Sequence, residues 1–247
     1  MIIVYGNRLY GTVERCGTSR IATRFFHIYG MPLLPLGSVL VTEEGEDNSY
    51  RGIPLGLHLR SLLAGYARLW LPLVAVGMLI AALSGSETYA MDEEGISGKV
   101  VALAGLGIAG LVGSIWAWVR FGKLSLEERA QRMVYADFTG IPADVALLGE
   151  SRSSLREKLL ALLEQRAPEV AATGYRIGVD AAAGWDRVAL EPSVRDRNFV
   201  ATAFTVARLE WALARGPRRA ASAELHARLW SKLRELDPNV LVQAETI

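Results

Sequence analysis

Three groups of residues in this 247-residue chain have types and spacings that could do chemistry. The first is Gly105-Leu-Gly107-Ile-Ala-Gly110, a GxGxxG that follows the β-like run Val100-Val101-Ala102-Leu103, with Glu127 about as far on as a ribose-binding carboxylate would be. Such glycines let a backbone approach a pyrophosphate, but the helix they open must then carry a polar face. Leu111 to Val119 is apolar all round and a second uncharged stretch lies just upstream, so the dinucleotide reading is rejected. The second group is Asp180, Asp186 and Glu191. Three carboxylates can hold a hard cation or do acid–base work, yet their spacing fits no calcium loop and no histidine is near, which favours solvated loop charges. The third is Arg195, Arg197, Arg215, Arg218 and Arg219, which could gather an anionic partner or simply stand at exposed helix ends.

Around these groups the usual motifs are missing. Cys16 is the one cysteine, which excludes an internal disulfide and a cysteine-rich zinc site. The histidines are His27, His58 and His226, without metal-ligand spacing, and His226 falls between apolar helical positions as a packing residue would. There is no Walker loop and no Ser-His-Asp order. Lys+Arg and Asp+Glu nearly balance, at 27 and 26, so no global charge favours nucleic acid. The expectation is a protein that is not an enzyme and takes no cofactor.

What must position these residues is a pair of uncharged apolar stretches, 69–86 and 100–119, against a mean hydropathy of +0.23 for the chain. At 1.5 Å per residue, roughly 20 apolar residues cross a bilayer core. The pattern predicts two transmembrane helices joined by an acidic loop at 87–99. Met1 to Gly6 lacks the basic and long apolar regions of a signal peptide, leaving the first span as the insertion signal. Pro54 begins a stretch with Leu55, Leu59, Leu62, Leu63 and Tyr66 on one side, predicting an interfacial helix over 54–68. Arg60, Arg68 and Trp70 before the first span, and Trp116, Trp118, Arg120 and Lys123 around the end of the second, are the predicted membrane-interface residues. With Arg51, Arg129 and Arg132 added, the positive-inside rule puts both termini in the cytoplasm of a bacterium and this multi-pass chain in its inner membrane. Within the second span Gly105, Ala109 and Gly113 form a small-residue stripe of the kind that lets helices approach closely in lipid, facing either the first span or another subunit. Neither span has a charge near its middle, which argues against a transporter.

Residues 1–50 read as a small β unit: Ile2-Ile3-Val4-Tyr5, Arg8 to Glu14, Ile21 to Tyr29 and Val39-Leu40-Val41 are β-rich runs punctuated by glycine and proline. Pro32-Leu-Leu-Pro35 matches the PxxP pattern, but reads better as two prolines shaping an edge or turn. Phe25, Phe26, Tyr29, Met31, Leu33 and Leu34 read as core, with the headgroup layer as the alternative. The run Arg24-Phe25-Phe26-His27-Ile28-Tyr29-Gly30-Met31-Pro32-Leu33-Leu34-Pro35-Leu36-Gly37, with Ile2 to Gly6, resembles small bacterial zinc-ribbon proteins over about residues 1–45. That resemblance implies a β-ribbon usable as an interaction surface. The family's Cys-x-x-Cys pairs are absent, so the ribbon would be metal-free.

Residues 124–247 read as a cytoplasmic helical bundle. Ser125-Leu-Glu-Glu128 is a capping box, Gly140 and Pro142 end the helix it opens, Ser154 to Arg166 is amphipathic up to Pro168, and Tyr175 to Glu191 suggests a hairpin or long loop. Two further helices follow, from Asp196 and from Arg218. The expected fold is an α-helical membrane protein: a two-span hairpin carrying the β unit and the bundle. The expected function is a non-enzymatic inner-membrane anchor or scaffold, with the lipid bilayer and a protein partner or a second copy as its partners. The alternatives are a homo-oligomeric channel lined by the second span, and a membrane-bound enzyme with its site around Asp180 and Asp186.

Overall fold

The computed structural model describes residues 4–45, 49–89, 98–173 and 184–246. It divides into two units: Met1–Arg15 with Arg20–Lys123, and Cys16–Ser19 with Leu124–Ile247. Asp180 and the expected strand at 175–179 lie outside the described residues, as does most of the loop predicted at 87–99.

In the first unit, strands β1 (Tyr5–Cys16), β2 (Ser19–Ile28), β3 (Met31–Glu44) and β4 (Tyr50–Leu55) form one sheet in the order β1-β2-β3-β4. β2 and β3 pair antiparallel from Arg20 opposite Val41 to Ile28 opposite Met31. Their two-residue turn is Tyr29-Gly30, with φ of 49° and 81°. Two consecutive positive φ values make the kind of turn whose twist matches the flanking strands. Tyrosine is an uncommon residue there, and Gly30 carries the sequence signal.

Pro54 does not begin a helix. It sits in β4 opposite Val39, where the last strand of the sheet can lack a donor on its outer side. The sheet therefore extends beyond residue 50, and the first helix, α1 (Leu59–Tyr89), starts later than 54. The predicted interfacial helix and first span are one continuous helix, with Pro72 inside it. α2 (Gly98–Val119) packs along α1. Both are long and apolar enough to cross a membrane by length and composition. The chain as a whole is mixed α and β, a broader class than the α-helical membrane protein with a small β unit that the sequence led one to expect.

The second unit is helical apart from Cys16–Ser19: α3 (Leu126–Thr139), a 3-10 turn (Val145–Leu147), α4 (Ser151–Thr173), α5 (Trp185–Leu190), α6 (Arg197–Leu213), α7 (Pro217–Leu236) and α8 (Val240–Glu245). The capping box forms: Ser125 Oγ accepts from Glu128 N–H at 3.1 Å and Glu128 Oε2 accepts from Ser125 N–H at 2.8 Å. Ser125→Ala should cost about 1 kcal/mol of this unit's stability, read as a lower denaturant midpoint at unchanged slope. Gly140, at φ 70°, closes α3. α6 is buried from Phe199 to Val206 without a break, as expected of a helix that neighbours cover on every side. Two expectations fail. α4 runs through Pro168, because Val170 and Ala171 beyond it are buried and hold the last turn in place. The alternation around Val188 and Leu190 belongs to α5, a single short helix whose buried face is Val188 and Ala189. α8 was not foreseen.

Candidate functional site

The densest buried polar chemistry in the first unit lies where α1 leaves the sheet. α1 begins with unpaired backbone N–H groups, as every helix does. His58 supplies one acceptor: its Nδ1 takes the Ser61 N–H at 3.4 Å. The other ring nitrogen, Nε2, faces Glu14 Oε1 at 3.4 Å. Arg60 reaches the same oxygen at 3.6 Å from a largely exposed position. The Glu14 carboxylate is itself nearly buried, and its backbone takes an unusual φ of 54°.

Behind this charged edge runs a chain of buried hydroxyls. Thr23 Oγ1 lies 2.8 Å from Ser38 Oγ and donates to Ser61 Oγ at 2.9 Å. Ser61 Oγ passes its own proton to Gly11 O at 2.8 Å, and Ser38 Oγ accepts the His58 N–H at 3.0 Å. Each buried hydroxyl thus has partners, as burial requires. The helix can come this near because Gly11 has no Cβ: one placed there would run into Ser61 O and stand 2.6 Å from Gly65 N. Gly65 faces the Phe25 ring in the same way, at 2.9 Å.

Two turns on, Arg68 does not reach out to solvent or headgroups as predicted. Its guanidinium donates to three backbone carbonyls: Ala117 O at 3.1 Å, Thr12 O at 2.7 Å and Phe121 O at 3.0 Å. Ala117 is in the last turn of α2, where carbonyls lack helical partners and the helix dipole is negative. One side chain therefore ties α1 to the end of α2 and to β1. Trp118 Nε1 donates back to Arg68 O at 3.1 Å, and its ring lies 5.6 Å from the guanidinium. Trp70 Nε1 donates to Pro32 O at 3.1 Å, and Tyr66 O–H to Leu33 O at 2.7 Å. Trp116 is exposed beside Phe121; Arg120 and Lys123 are exposed.

The predicted packing stripe is not the one that faces α1. Nothing lies within 4 Å of a Cβ built on Gly105 or Gly113, and Ala109 is exposed. The contact is made by Gly107, whose Cβ would stand 2.6 Å from Leu79 Cγ, and by Gly110, against Ala75 Cβ at 2.9 Å, with Ser114 and Ala117 buried on the same side.

The second unit holds a separate buried cluster. Tyr135 and His226 stack on Phe204 with centroids 5.2 and 4.3 Å away, and Tyr135 Oη lies 2.8 Å from His226 Nε2. Burial, with Arg208 nearby, pushes the His226 pKa down to about 4; burial raises that of Tyr135 well above its usual value. His226 is neutral at pH 7. Between about pH 6.5 and 4 the unfolded chain binds a proton there that the folded chain does not, so stability falls as pH falls through that window. Denaturant titrations at pH 7 and pH 4.5 should show it, by up to about 3 kcal/mol, and His226→Phe should shrink the difference. Asp144 caps the 3-10 turn and pairs with Arg208, which lies 4.0 Å over the Trp211 ring. Asp186 and Glu191 line an open groove of about 730 Å³ with Arg187, Glu210 and Arg228. Among the described residues no three His, Cys, Asp or Glu side chains gather as a metal site would require. Cys16 is buried, and burial pushes its thiol pKa up, the reverse of what a nucleophile needs.

Reading the sequence missed Glu14, Thr23, Ser38 and Ser61. The paired glycines Gly11 and Gly65 were the available signal of a close strand–helix approach. The chain matches no family model, no curated protein and no solved structure.

Proposed function

We propose that the protein is a non-enzymatic anchor of a bacterial inner membrane, holding its sheet and its helical unit at the cytoplasmic face as interaction domains. The observation that carries this reading is the outer surface of α1 and α2. Only 11% and 17% of their most apolar windows are buried, whereas the core helix of a soluble protein is covered. Ile80, Leu83, Val101, Leu106, Val112 and Ile115 all point away from protein, and an exposed apolar surface of that kind needs an apolar solvent. Polar side chains at the α1 edge are taken up by backbone and by each other, which suits a structural joint. The basic residues flanking both helices set both termini inside. Carbonate-washed membranes should retain the protein, and cysteine reporters in the 87–99 loop should react from outside. A monodisperse, detergent-free soluble particle would overturn the reading.

A second reading, assembly of several copies with α2 lining a pore, is favoured by one observation: a Cβ on Gly105 or Gly113 would meet open space, and Ala109 between them is exposed. The lipid-corrected mass of the solubilised particle tests it. A defined oligomer supports it, and a monomer removes it.

A further inference from the structure

Resting on the membrane reading above, we infer that the β2–β3 end of the sheet is itself a membrane-contacting element, seated in the interfacial layer of an anionic bilayer. The register of the sheet and its bonds to α1 place it there. His58 N–H and Ser61 hold the start of α1 at Ser38 and Thr23, one opposite the other across β2 and β3. Tyr66 then bonds Leu33 O and Trp70 bonds Pro32 O. α1 thus runs along β3 from Ser38 toward Met31, and its uncharged stretch continues past Trp70 in that direction. The end of the sheet that it reaches presents apolar side chains outward: Tyr5, Tyr29, Met31, Leu33, Leu34 and Leu36 are all exposed there, Leu34 at 62%. The strand ends are contiguous. Tyr29 N–H donates to Val4 O at 2.8 Å, the Tyr5 ring lies 6.4 Å from Phe26, and Phe26 pairs with Leu34.

Charge separates the two ends of the sheet. No Asp or Glu occurs from residue 1 to 13 or from 19 to 42. Arg8 and Arg24, both exposed, are the cations nearest the apolar end along β1 and β2. The carboxylates Glu43 and Glu44 are at the far end of β3, opposite Arg51 and Tyr50. Tyrosine and apolar side chains fit the headgroup–acyl boundary, and cations beside them are drawn to an anionic leaflet. A water-facing protein surface accounts for the acidic end but not for the apolar one. Of the aromatic and aliphatic residues expected as core, Phe25 is the fully buried one; the leucines and Tyr29 take the headgroup-layer alternative.

The test uses the full chain in Cys16→Ser form, carrying one environment-sensitive fluorophore at Leu34→Cys, Glu44→Cys or Val112→Cys. The protein is placed in nanodiscs of phosphatidylcholine and phosphatidylglycerol. Lipids carrying shallow or deep nitroxides quench from the bilayer, and iodide quenches from water. The expected result is several-fold stronger shallow-nitroxide quenching at Leu34 than at Glu44, with iodide quenching reversed. Equal behaviour at Leu34 and Glu44, with deep quenching retained at Val112, would overturn this inference and leave the membrane anchor standing. Loss of nitroxide quenching at Val112 as well would fell both.

Discussion

Arg68→Ala should be the most damaging single substitution in the first unit, lowering its stability by about 3 kcal/mol or more. The side chain donates to Ala117 O, Thr12 O and Phe121 O at once, from three different guanidinium nitrogens. Removing it loses three charge-assisted bonds and strands the carbonyl of buried Ala117, and the stranded acceptor is the larger part of the cost. Arg68→Lys should recover less than half, because an ammonium on a flexible stem cannot fork toward three acceptors set by three different segments. Thermal unfolding in detergent, followed by the fluorescence of Trp70 and Trp118, measures it. Unfolding of Arg68→Ala at the wild-type temperature would show that Arg68 is solvated and that its contacts to the end of α2 and to β1 carry no energy. Arg60, whose pair with Glu14 is largely exposed, provides the contrast: Arg60→Ala should cost less than about 1 kcal/mol.

The contrast between Arg60 and Arg68 also shows what a sequence can disclose. Both arginines precede an uncharged stretch, and both fit the same rule about basic residues at a membrane boundary. Whether such a side chain reaches out or turns back depends on which acceptors the fold brings within hydrogen-bond reach, and those on Arg68 come from residues 12, 117 and 121. No local pattern encodes that meeting. The features that were legible are those with a short-range cause. Ser125 with Glu128 capped α3 as its spacing required, Gly140 closed it, and the two apolar runs became the two longest apolar helices. Pro54 misled because its meaning is set by a partner strand 15 residues earlier: opposite Val39, it is an acceptable strand residue, whereas beside Leu55 and Leu59 it looks like a helix start. Pro168 misled in the opposite sense, since buried Val170 and Ala171 outweigh the lost hydrogen bond. The polar joint of Glu14, Thr23, Ser38 and Ser61 was illegible for the same reason as Arg68: each residue is ordinary alone and acquires its role across a gap of 15 to 50 positions.

Gly107 and Gly105 should respond differently to the same substitution, the first losing stability and the second keeping it, although they are two residues apart in one motif. A Cβ at Gly107 would meet Leu79 Cγ at 2.6 Å and Ala75 O at 3.0 Å. The leucine tip can move; the carbonyl belongs to α1's backbone and cannot. Gly107→Val adds three carbons to that space, so the helices must part or tilt, at a cost of about 2–4 kcal/mol. Gly105→Val meets open space within one chain. Its intrachain cost is the small propensity of a β-branched residue, offset by removing a glycine from a helix. The thermal midpoint of the solubilised protein should therefore drop for Gly107→Val and hold for Gly105→Val. The mass of the particle separates the remaining possibilities for Gly105. If copies associate through the outward stripe, Gly105→Val and Gly113→Val should dissociate the particle without lowering the unfolding temperature of the protomer. If the wild-type particle is already a monomer, both variants should be silent in mass and in stability, and the outward stripe then meets only lipid.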